Sequence, residues 1–334
     1  MRERQGRREG SEEGASPPPP DRGVRLDWAD MPVRVRGEIE QWLGGAVVRA
    51  VTQPTGFTPG VAARLTVDDG SRVFVKAAGP EPNPDTAAMH RREASIVSAL
   101  PCDAPVPRLL WSYDEGEGGW IALVFEDVDG RHPTQPWQTD DLHRVGAAME
   151  DLSTFLTPSP LPAATVGTAG YNFASRGWRQ LCDERPSRLD HVDEWSRRHL
   201  QTLIAIEETV DDALEGNTLL NNDIRADNIL LTSNHTWFVD WPHASVGPPW
   251  LDVVAFAPSV TMQGGPPPEE VVSAHSSSHS AESDAITAAV VTLAGFFTHR
   301  AAQPPPPGLP TVRAFQDAQG VVARNWVAQR TGLS

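Results

Sequence analysis

The chain has 334 residues, a formal net charge of −16 at pH 7 and 39% hydrophobic residues, including 11 Trp and 10 Phe. This length exceeds that of a usual single domain, so the sequence predicts two lobes or domains that share a large apolar core. The negative charge argues against a nucleic-acid-binding protein, because phosphate backbones require a basic surface. It suits a cationic or neutral small-molecule partner.

The first 30 residues are predicted to form a disordered tail, because residues 1–23 are charged and contain no apolar stretch of the kind that secretory signals have. The longest apolar run, residues 285–297, is shorter than the roughly 20 residues that span a bilayer. The two cysteines, Cys102 and Cys182, lie far apart in the sequence and lack metal-ligand spacing. We therefore expect a cytoplasmic protein without membrane association.

Residues 31–127 are predicted to form an N-terminal lobe that is built on an antiparallel sheet. A short amphipathic helix near its start has Val35 and Ile39 at helical spacing and ends at a glycine pair. Three strands follow, and a turn at residues 68–70 joins the second strand to the third. A helix over residues 86–101, which a proline ends, and two further apolar runs complete this lobe.

Residues 128–334 are predicted to form a larger, mostly helical lobe. Apolar residues recur at helical spacing within residues 140–156 and 189–214, which indicates two amphipathic helices. Segments rich in proline and serine are interpreted as surface loops. One of them contains His275 and His279, whose spacing would suit a metal site on a helix, but no acidic or cysteine partner accompanies them, so a solvated loop is preferred.

Lys76 is the only lysine in the chain, against 27 arginines. Lysine is a compact point charge and arginine a planar fork, so the two are not equivalent where one cation must fit a tight pocket. Lys76 lies at the end of the third predicted strand, and Glu93 follows in the predicted helix. A strand lysine paired with a helix glutamate binds nucleotide phosphates in kinases, whereas a lone lysine on a solvated strand is the alternative interpretation.

Three polar residues of the larger lobe follow short apolar runs. Asp223 and Asn228 lie five residues apart, and Asp240 ends the next predicted strand. Phosphoryl transfer from a nucleotide requires one carboxylate to deprotonate the attacking hydroxyl, and a carboxylate with a carboxamide to hold magnesium. Together with Lys76 and Glu93, these residues form a set that such a reaction requires.

On these motifs the chain resembles the aminoglycoside phosphotransferase family, which has a protein-kinase-like fold and phosphorylates small molecules. The resemblance extends from about residue 31 to the end and is most specific at residues 222–231, 239–244 and 250–260. It implies an α+β, bilobal fold with an antiparallel N-terminal sheet, one inserted helix and a mostly helical C-terminal lobe. ATP and Mg²⁺ would bind between the lobes.

The resemblance implies a role for each matching residue. Asp223 would be the catalytic base, and Asn228 and Asp240 would be the magnesium ligands. Arg225 would steady the loop, and Asp252 would brace it. The nucleotide-binding residues would be Lys76 and Glu93 at the phosphates, Gly56 and Gly60 in the turn that covers them, and the backbone of Glu126 and Val128 at the adenine.

One departure concerns Asn221 and Asn222, which stand where the family usually has His-Gly before its catalytic Asp. Asparagine tolerates unusual backbone dihedrals, and its amide could replace part of the hydrogen bonding of the histidine. The predicted function is transfer of the γ-phosphoryl group of ATP to a hydroxyl of a small molecule, such as an aminoglycoside, another amino alcohol or a sugar.

A catalytically degenerate nucleotide-binding or sensing protein of the same fold is the alternative. A protein kinase is disfavoured, because the segment between Asp240 and Asp252 is too short to be an activation loop. The sequence identifies neither the acceptor nor the oligomeric state.

Overall fold

The N-terminal lobe contains five strands and two helices. The computed structural model of the chain describes residues 18–169, 176–184 and 192–334. The strands are β1 (Val47–Thr52), β2 (Val61–Val67), β3 (Arg72–Ala78), β4 (Leu109–Asp114) and β5 (Ile121–Glu126), and the helices are α1 (Val33–Leu43) and α2 (Pro84–Val97). The strands form one antiparallel sheet of order β1-β2-β3-β5-β4.

The two faces of this sheet have different partners, and the period-two alternation of side chains assigns each residue to one of them. On β3, Val73, Val75 and Ala77 belong to the buried cluster that also contains the α1 residues Val35 and Ile39. The residues between them, including Lys76, therefore face the opposite side. On that side, α2 and the C-terminal lobe pack against the sheet.

The C-terminal lobe is mostly helical, so the predicted fold class is confirmed. Its helices are α3 (Thr139–Phe155), α4 (Ala163–Val166), α5 (Gly177–Asp183), α6 (Glu194–Glu207), α7 (Val210–Ala213), α8 (Leu251–Met262), α9 (Pro268–Ser273), α10 (Ser283–Ala301) and α11 (Val312–Thr331). The apolar helix α10 is buried among its neighbours, and α11 packs along it. None of the helices in the described part of the chain is long and apolar enough to cross a membrane.

Short strands of the C-terminal lobe flank the polar residues Asp223, Asn228 and Asp240, which lie in the connecting segments. The strands are β6 (Thr218–Leu220), β7 (Ile229–Leu231), β8 (Thr236–Phe238) and β9 (Ser245–Gly247). The pairs β6–β9 and β7–β8 are antiparallel, and a single 3-10 turn, Ala226–Asn228, connects β6 to β7. The loops at the strand ends are thereby fixed at both sides.

Two predictions for the larger lobe need correction. The helix expected over residues 189–214 starts later and is divided into two. Its first part, α6, starts only after Asp193, whose carboxylate accepts a hydrogen bond from Ser196 N (2.9 Å). Two residues separate α6 from α7, and residues 189–191 lie outside the described residues. The solvated-loop interpretation is wrong for His275, which is only 5% exposed.

The N-terminal segment also differs from its prediction. Residues 1–17 lie outside the described residues. Residues 22–26, which we call the strap, run parallel to the β1–β2 loop, and their backbone N–H groups donate to the carbonyls of Gly60 (3.0 Å) and Gly308 (2.8 Å). Trp28 is buried in the turn that follows. The prediction of disorder is thus wrong for residues 22–30, whereas the lobe boundary at residue 127 stays a prediction.

Candidate active site

Lys76 lies between two carboxylates that come from distant parts of the chain. Its Nζ is 2.7 Å from Glu93 Oε1 on α2 and 2.8 Å from Asp240 Oδ1, which follows β8. The ammonium is paired, and the alternative of a lone lysine on a solvated strand does not apply. The two carboxylates hold the pKa of Lys76 above its ordinary value, although burial lowers it.

The two carboxyl groups of this cluster have opposite pKa shifts. Burial raises the pKa of Asp240, but the Lys76 ammonium outweighs burial and holds this pKa well below its usual range. For Glu93, burial raises the pKa, and the charge of Asp240 adds to the rise. His90, one turn before Glu93 on α2, is buried, and burial together with Lys76 lowers its pKa to about 3. The imidazole is therefore neutral at physiological pH.

The β1–β2 loop lies over this cluster and requires two glycines. Gly56 and Gly60 have φ values of +87° and +110°, which other residues rarely adopt. A Cβ at Gly60 would lie 2.5 Å from Ala77 O, and one at Gly56 would lie 2.8 Å from a guanidinium nitrogen of Arg25. Both glycines were expected to let the backbone approach phosphate, but the atoms that a Cβ would meet at each position belong to the protein.

The segment after β5 lines the other end of the cleft. Glu126 N donates to Arg108 O (3.0 Å), and the Glu126 carboxylate pairs with the Arg108 side chain (3.0 Å). Val128 O accepts hydrogen bonds from Arg64 Nη2 (2.8 Å) and from Gly130 N (2.9 Å). Both predicted adenine-contacting residues thus line the cleft, and the Val128 carbonyl already has protein donors.

Asn221 and Asn222 are fixed from below by the buried Asp252. The Asp252 carboxylate accepts hydrogen bonds from the backbone N–H groups of Asn221 (3.0 Å) and Asn222 (2.8 Å), which is the brace that the sequence predicted. Burial raises the pKa of Asp252 to about 6 against the effect of these two donors. Asn221 Nδ2 also donates to Asp240 O (3.1 Å), so this amide connects the two polar segments of the lobe.

The backbone conformation at Asn222 predicts that substitutions there differ in their effect on stability. Its φ is +63°, and its Nδ2 donates to His243 O (2.9 Å) and Ser245 Oγ (2.7 Å). Asn222→Ala should lower the free energy of unfolding by about 1–3 kcal/mol, because it combines left-handed strain with the loss of these bonds. Asn222→Gly loses the bonds without the strain and should lie between wild type and Asn222→Ala in urea unfolding. Equal stabilities of the two variants would contradict the strain argument.

Asp223 projects from the loop between β6 and β7 and contacts two side chains of the same loop. Arg225 Nη1 donates to Asp223 Oδ1, and Asn228 Nδ2 donates to Asp223 Oδ2 (3.1 Å). Burial raises the pKa of Asp223, and the Arg225 guanidinium opposes the rise. Arg225 also pairs with the buried Asp227 (2.9 Å).

Two aromatic rings, from the β1–β2 loop and from α11, pack against the Arg225 guanidinium. The ring centroids of Phe57 and Phe315 lie 5.5 and 5.8 Å from its Cζ, and the two rings are in edge contact with each other. Such cation–π contacts restrain a guanidinium in addition to its ion pairs. Arg225 therefore steadies the loop, as expected, and does so through contacts that span both lobes.

Arg225→Met should move the acidic limb of the pH–rate profile to higher pH. Loss of the cation removes the effect that opposes burial, so the pKa of Asp223 rises and its basic form requires a higher pH. The measurement is kcat/KM against pH, with Arg198→Met on the exposed face of α6 as the control. An acidic limb that stays in place or moves to lower pH would contradict this coupling.

A cleft of about 1010 Å³, including its part open to solvent, connects these groups between the lobes. Lys76, Glu93, Asn228, Asp240, Gly56, Glu126 and Val128 line it, and Asp223 lies beside it in contact with Asn228. Gly60 is absent from the lining and supports the loop from its far end.

The sequence analysis missed two charged residues of this region. Arg25 lines the cleft, although it belongs to the segment predicted as a tail, and Asp227 binds Arg225 from inside the loop. The available signal for Arg25 was weak, since it consisted of Val24, Leu26 and Trp28 at alternate positions in a short polar stretch. Asp227 was visible in the motif, but its spacing alone does not reveal its partner.

Comparison with known proteins agrees with this geometry. The model of the phosphotransferase enzyme family APH matches residues 56–286, which is more than half of the chain. The chain belongs to this family. Membership of this family supports small-molecule phosphotransferase activity for the chain. No curated protein sequence matches this chain at a significant level.

Solved structures of similar fold have low sequence identity to this chain. A protein assigned as a fructosamine-3-kinase from Thermobifida fusca is 17% identical, with 87% of this chain and 98% of that chain covered and a TM-score of 0.54. A thermostable mutant of aminoglycoside phosphotransferase APH(4)-Ia is 13% identical, with 87% and 98% covered and a TM-score of 0.57. A choline/ethanolamine kinase family protein from Mesorhizobium loti is 14% identical, with 90% and 93% covered and a TM-score of 0.52. These similarities establish the fold alone.

Proposed function

We propose that this protein transfers the γ-phosphoryl group of ATP, bound together with Mg²⁺, to a hydroxyl group of a small molecule. The proposal rests on one observation, which is that two sets of polar side chains lie at the same cleft. Lys76 Nζ lies within 3.0 Å of carboxylate oxygens of both Glu93 and Asp240, and Asn228, which lines the same cleft, donates to Asp223. Phosphoryl transfer requires these side-chain types in this proximity.

In this proposal each side chain has one task. Lys76 binds the α- and β-phosphates and is oriented by Glu93. Asp223 orients the acceptor hydroxyl and takes its proton, for which a raised pKa makes it a better base at neutral pH. The backbone of Glu126 and Val128 contacts the adenine.

The residues present fit a magnesium ion that the nucleotide helps to hold. The described residues contain no group of three or more His, Cys, Asp or Glu side chains arranged to bind a metal. Mg²⁺ is commonly held by one or two protein ligands together with substrate phosphates and water, so the Asn228 carboxamide and the Asp240 carboxylate suffice. When bound, the ion would neutralise charge on the transferring phosphoryl group.

The acceptor is proposed by class only. Solved structures of similar fold are complexes of ADP with hygromycin B and of ADP with spectinomycin. These support a nucleotide donor and a hydroxyl-bearing, cationic small molecule as acceptor. The net charge of −16 is compatible with a cationic acceptor.

The degenerate alternative has two observations in its favour. The Arg225–Asp223 ion pair occupies an oxygen of the proposed base, and Asn221-Asn222 replaces the usual His-Gly. A nucleotide-binding protein without transfer would be compatible with both features.

Acceptor-dependent ADP formation separates the two functions. The assay couples ADP release to NADH oxidation, with Mg-ATP and a panel of aminoglycosides, amino alcohols and ketoamine sugars, and the product is identified by ³¹P NMR. We expect at least one acceptor to raise ADP formation well above the acceptor-free rate. Calorimetric Mg-ATP binding with no turnover on any acceptor would favour the degenerate protein, and absence of binding would overturn both.

A further inference from the structure

The strap, residues 22–26, brings an arginine of the N-terminal segment into the nucleotide cleft. It adds to the β1–β2 loop in a parallel arrangement, with N···O distances of 3.0 Å between Gly23 and Gly56 and of 3.1 Å between Gly60 and Val24. The other side of the strap contacts the segment before α11 through Val24 N and Gly308 O. Because the strap is held on both sides, the position of Arg25 is determined by backbone contacts.

The Arg25 side chain binds the inner side of the loop. Its Nη1 donates to Thr58 O, and its Nη2 donates to the carbonyls of Thr55 and Gly56. Three carbonyl oxygens of the covering loop thus point at one guanidinium. An anion beside these oxygens would be repelled, so phosphate can approach this part of the loop only if a cation such as Arg25 is present.

Arg25 differs from the other cations of the cleft. Lys76 is within ion-pair distance of Glu93 and Asp240, and Arg64 pairs with Asp127 (3.2 Å). Within the described ranges, no carboxylate lies within 4.0 Å of the Arg25 guanidinium. Its Nε is buried and has no hydrogen-bond partner there either. Arginine stays protonated in proteins, so this part of the cleft contains a cation that no carboxylate contacts directly among the described residues, with an unused Nε donor.

We propose that Arg25 binds the β- and γ-phosphates of the nucleotide and that the strap is the element that holds it there. The assignment rests on the proposed function. It is specific for the terminal phosphates because Arg25 lines the same cleft as Asn228 and Asp240, the proposed magnesium ligands, and Mg²⁺ is commonly held together with substrate phosphates. Arg25 would then supply the charge-assisted bonds that the loop carbonyls cannot.

The test is calorimetric binding of AMP-PNP, ADP and adenosine, all with Mg²⁺, to the full chain and to Arg25→Met. The control is Arg22→Met, since Arg22 is exposed in the same strap. We expect Arg25→Met to weaken the binding of AMP-PNP by roughly ten- to a hundredfold, which corresponds to the loss of one or two hydrogen bonds to a charged group. The affinity for ADP should fall less, and the affinity for adenosine should change by less than about twofold. Arg22→Met should resemble wild type for all three ligands.

Two results would overturn the assignment while the proposed function stands. In one, Arg25→Met binds AMP-PNP as wild type does. In the other, its affinities for adenosine and for AMP-PNP fall by the same factor, which would mean that Arg25 only supports the loop. If wild type bound none of the three ligands, the assignment and the proposed function would both fail. If Arg25→Met does not fold, Arg25→Gln keeps two donors for the loop carbonyls without the charge, and the same expectations apply to it.

Discussion

Replacing Asp223 by Asn is expected to lower kcat by about 10²- to 10⁴-fold, the usual contribution of a positioned general base. The carboxamide has nearly the same shape, so it can still accept the hydrogen bond from Asn228 Nδ2. It cannot take the proton of the acceptor hydroxyl. Because the loss is confined to the chemical step, the dissociation constant for ADP should stay within about twofold of wild type.

A rapid-quench single-turnover experiment with saturating Mg-ATP and acceptor measures this step directly. Asp227→Asn is the matched control, since it removes a carboxylate that binds the same Arg225 and that has no role with the acceptor in the proposed function. We expect the control to lose less than about tenfold. A wild-type single-turnover rate in Asp223→Asn would show that another group is the base.

Replacing Lys76 by Met is expected to lower the free energy of unfolding by about 3–5 kcal/mol at neutral pH in the absence of magnesium, since it leaves two buried carboxyl groups without their cation. Both neighbours, Glu93 and Asp240, are within 3.0 Å of the Lys76 ammonium through at least one oxygen. The same variant should lose the stabilisation that Mg-ATP gives to wild type, because the phosphates lose their point charge. Urea unfolding, followed by tryptophan fluorescence, measures both effects.

The pH dependence of this loss has a definite sign. In wild type, Lys76 holds the pKa of Asp240 below its unfolded value of about 3.9, so the contribution to stability is present above that pH and is lost below it. Without Lys76, burial raises the pKa of both carboxyl groups above their unfolded values, and the variant becomes relatively more stable as the pH falls. The difference between wild type and variant should therefore shrink from pH 7.5 to pH 5.

The exposed pair on α6 provides the control for this experiment. Arg198→Met removes an ion pair to Glu194 at the surface and should cost less than about 1 kcal/mol at either pH. An equal loss in Lys76→Met at both pH values would show that lost packing of the lysine stem, rather than unpaired carboxylates, explains the effect.

Much of the fold follows from local sequence patterns, and the α+β fold class and the phosphotransferase family are confirmed. Alternation along β2 and β3 and the apolar spacing of α1 were sufficient to predict the N-terminal sheet. They also place Lys76 on the face opposite α1, and Glu93 contacts it as expected. Asn222 illustrates a correct local argument, because its positive φ is the dihedral that asparagine tolerates. The roles of these residues in catalysis stay predictions.

The errors concern contacts between residues that are far apart in the sequence. The strap looked like the end of a polar tail because its partners, the β1–β2 loop and the segment at Gly308, supply the backbone bonds that order it. Arg225 steadies its loop as expected, but no local pattern could reveal that Phe315 of α11 packs against it. His275 was assigned to a serine-rich loop, and its burial depends on the packing of the whole lobe.

The contact between the two ends of the chain also determines when the cleft can be completed during synthesis. Thr311 Oγ1 donates to Arg22 O, so the strap binds a segment that lies 289 residues later in the sequence. At a translation rate of about 5–20 residues per second, the ribosome produces this segment roughly 15–60 s after the strap. The β-sheet can form early on the nascent chain, but the strap has only one of its two supports until the segment at Gly308 and Thr311 has been made. If nucleotide binds through Arg25 as proposed, it can assist folding only after this segment has been made.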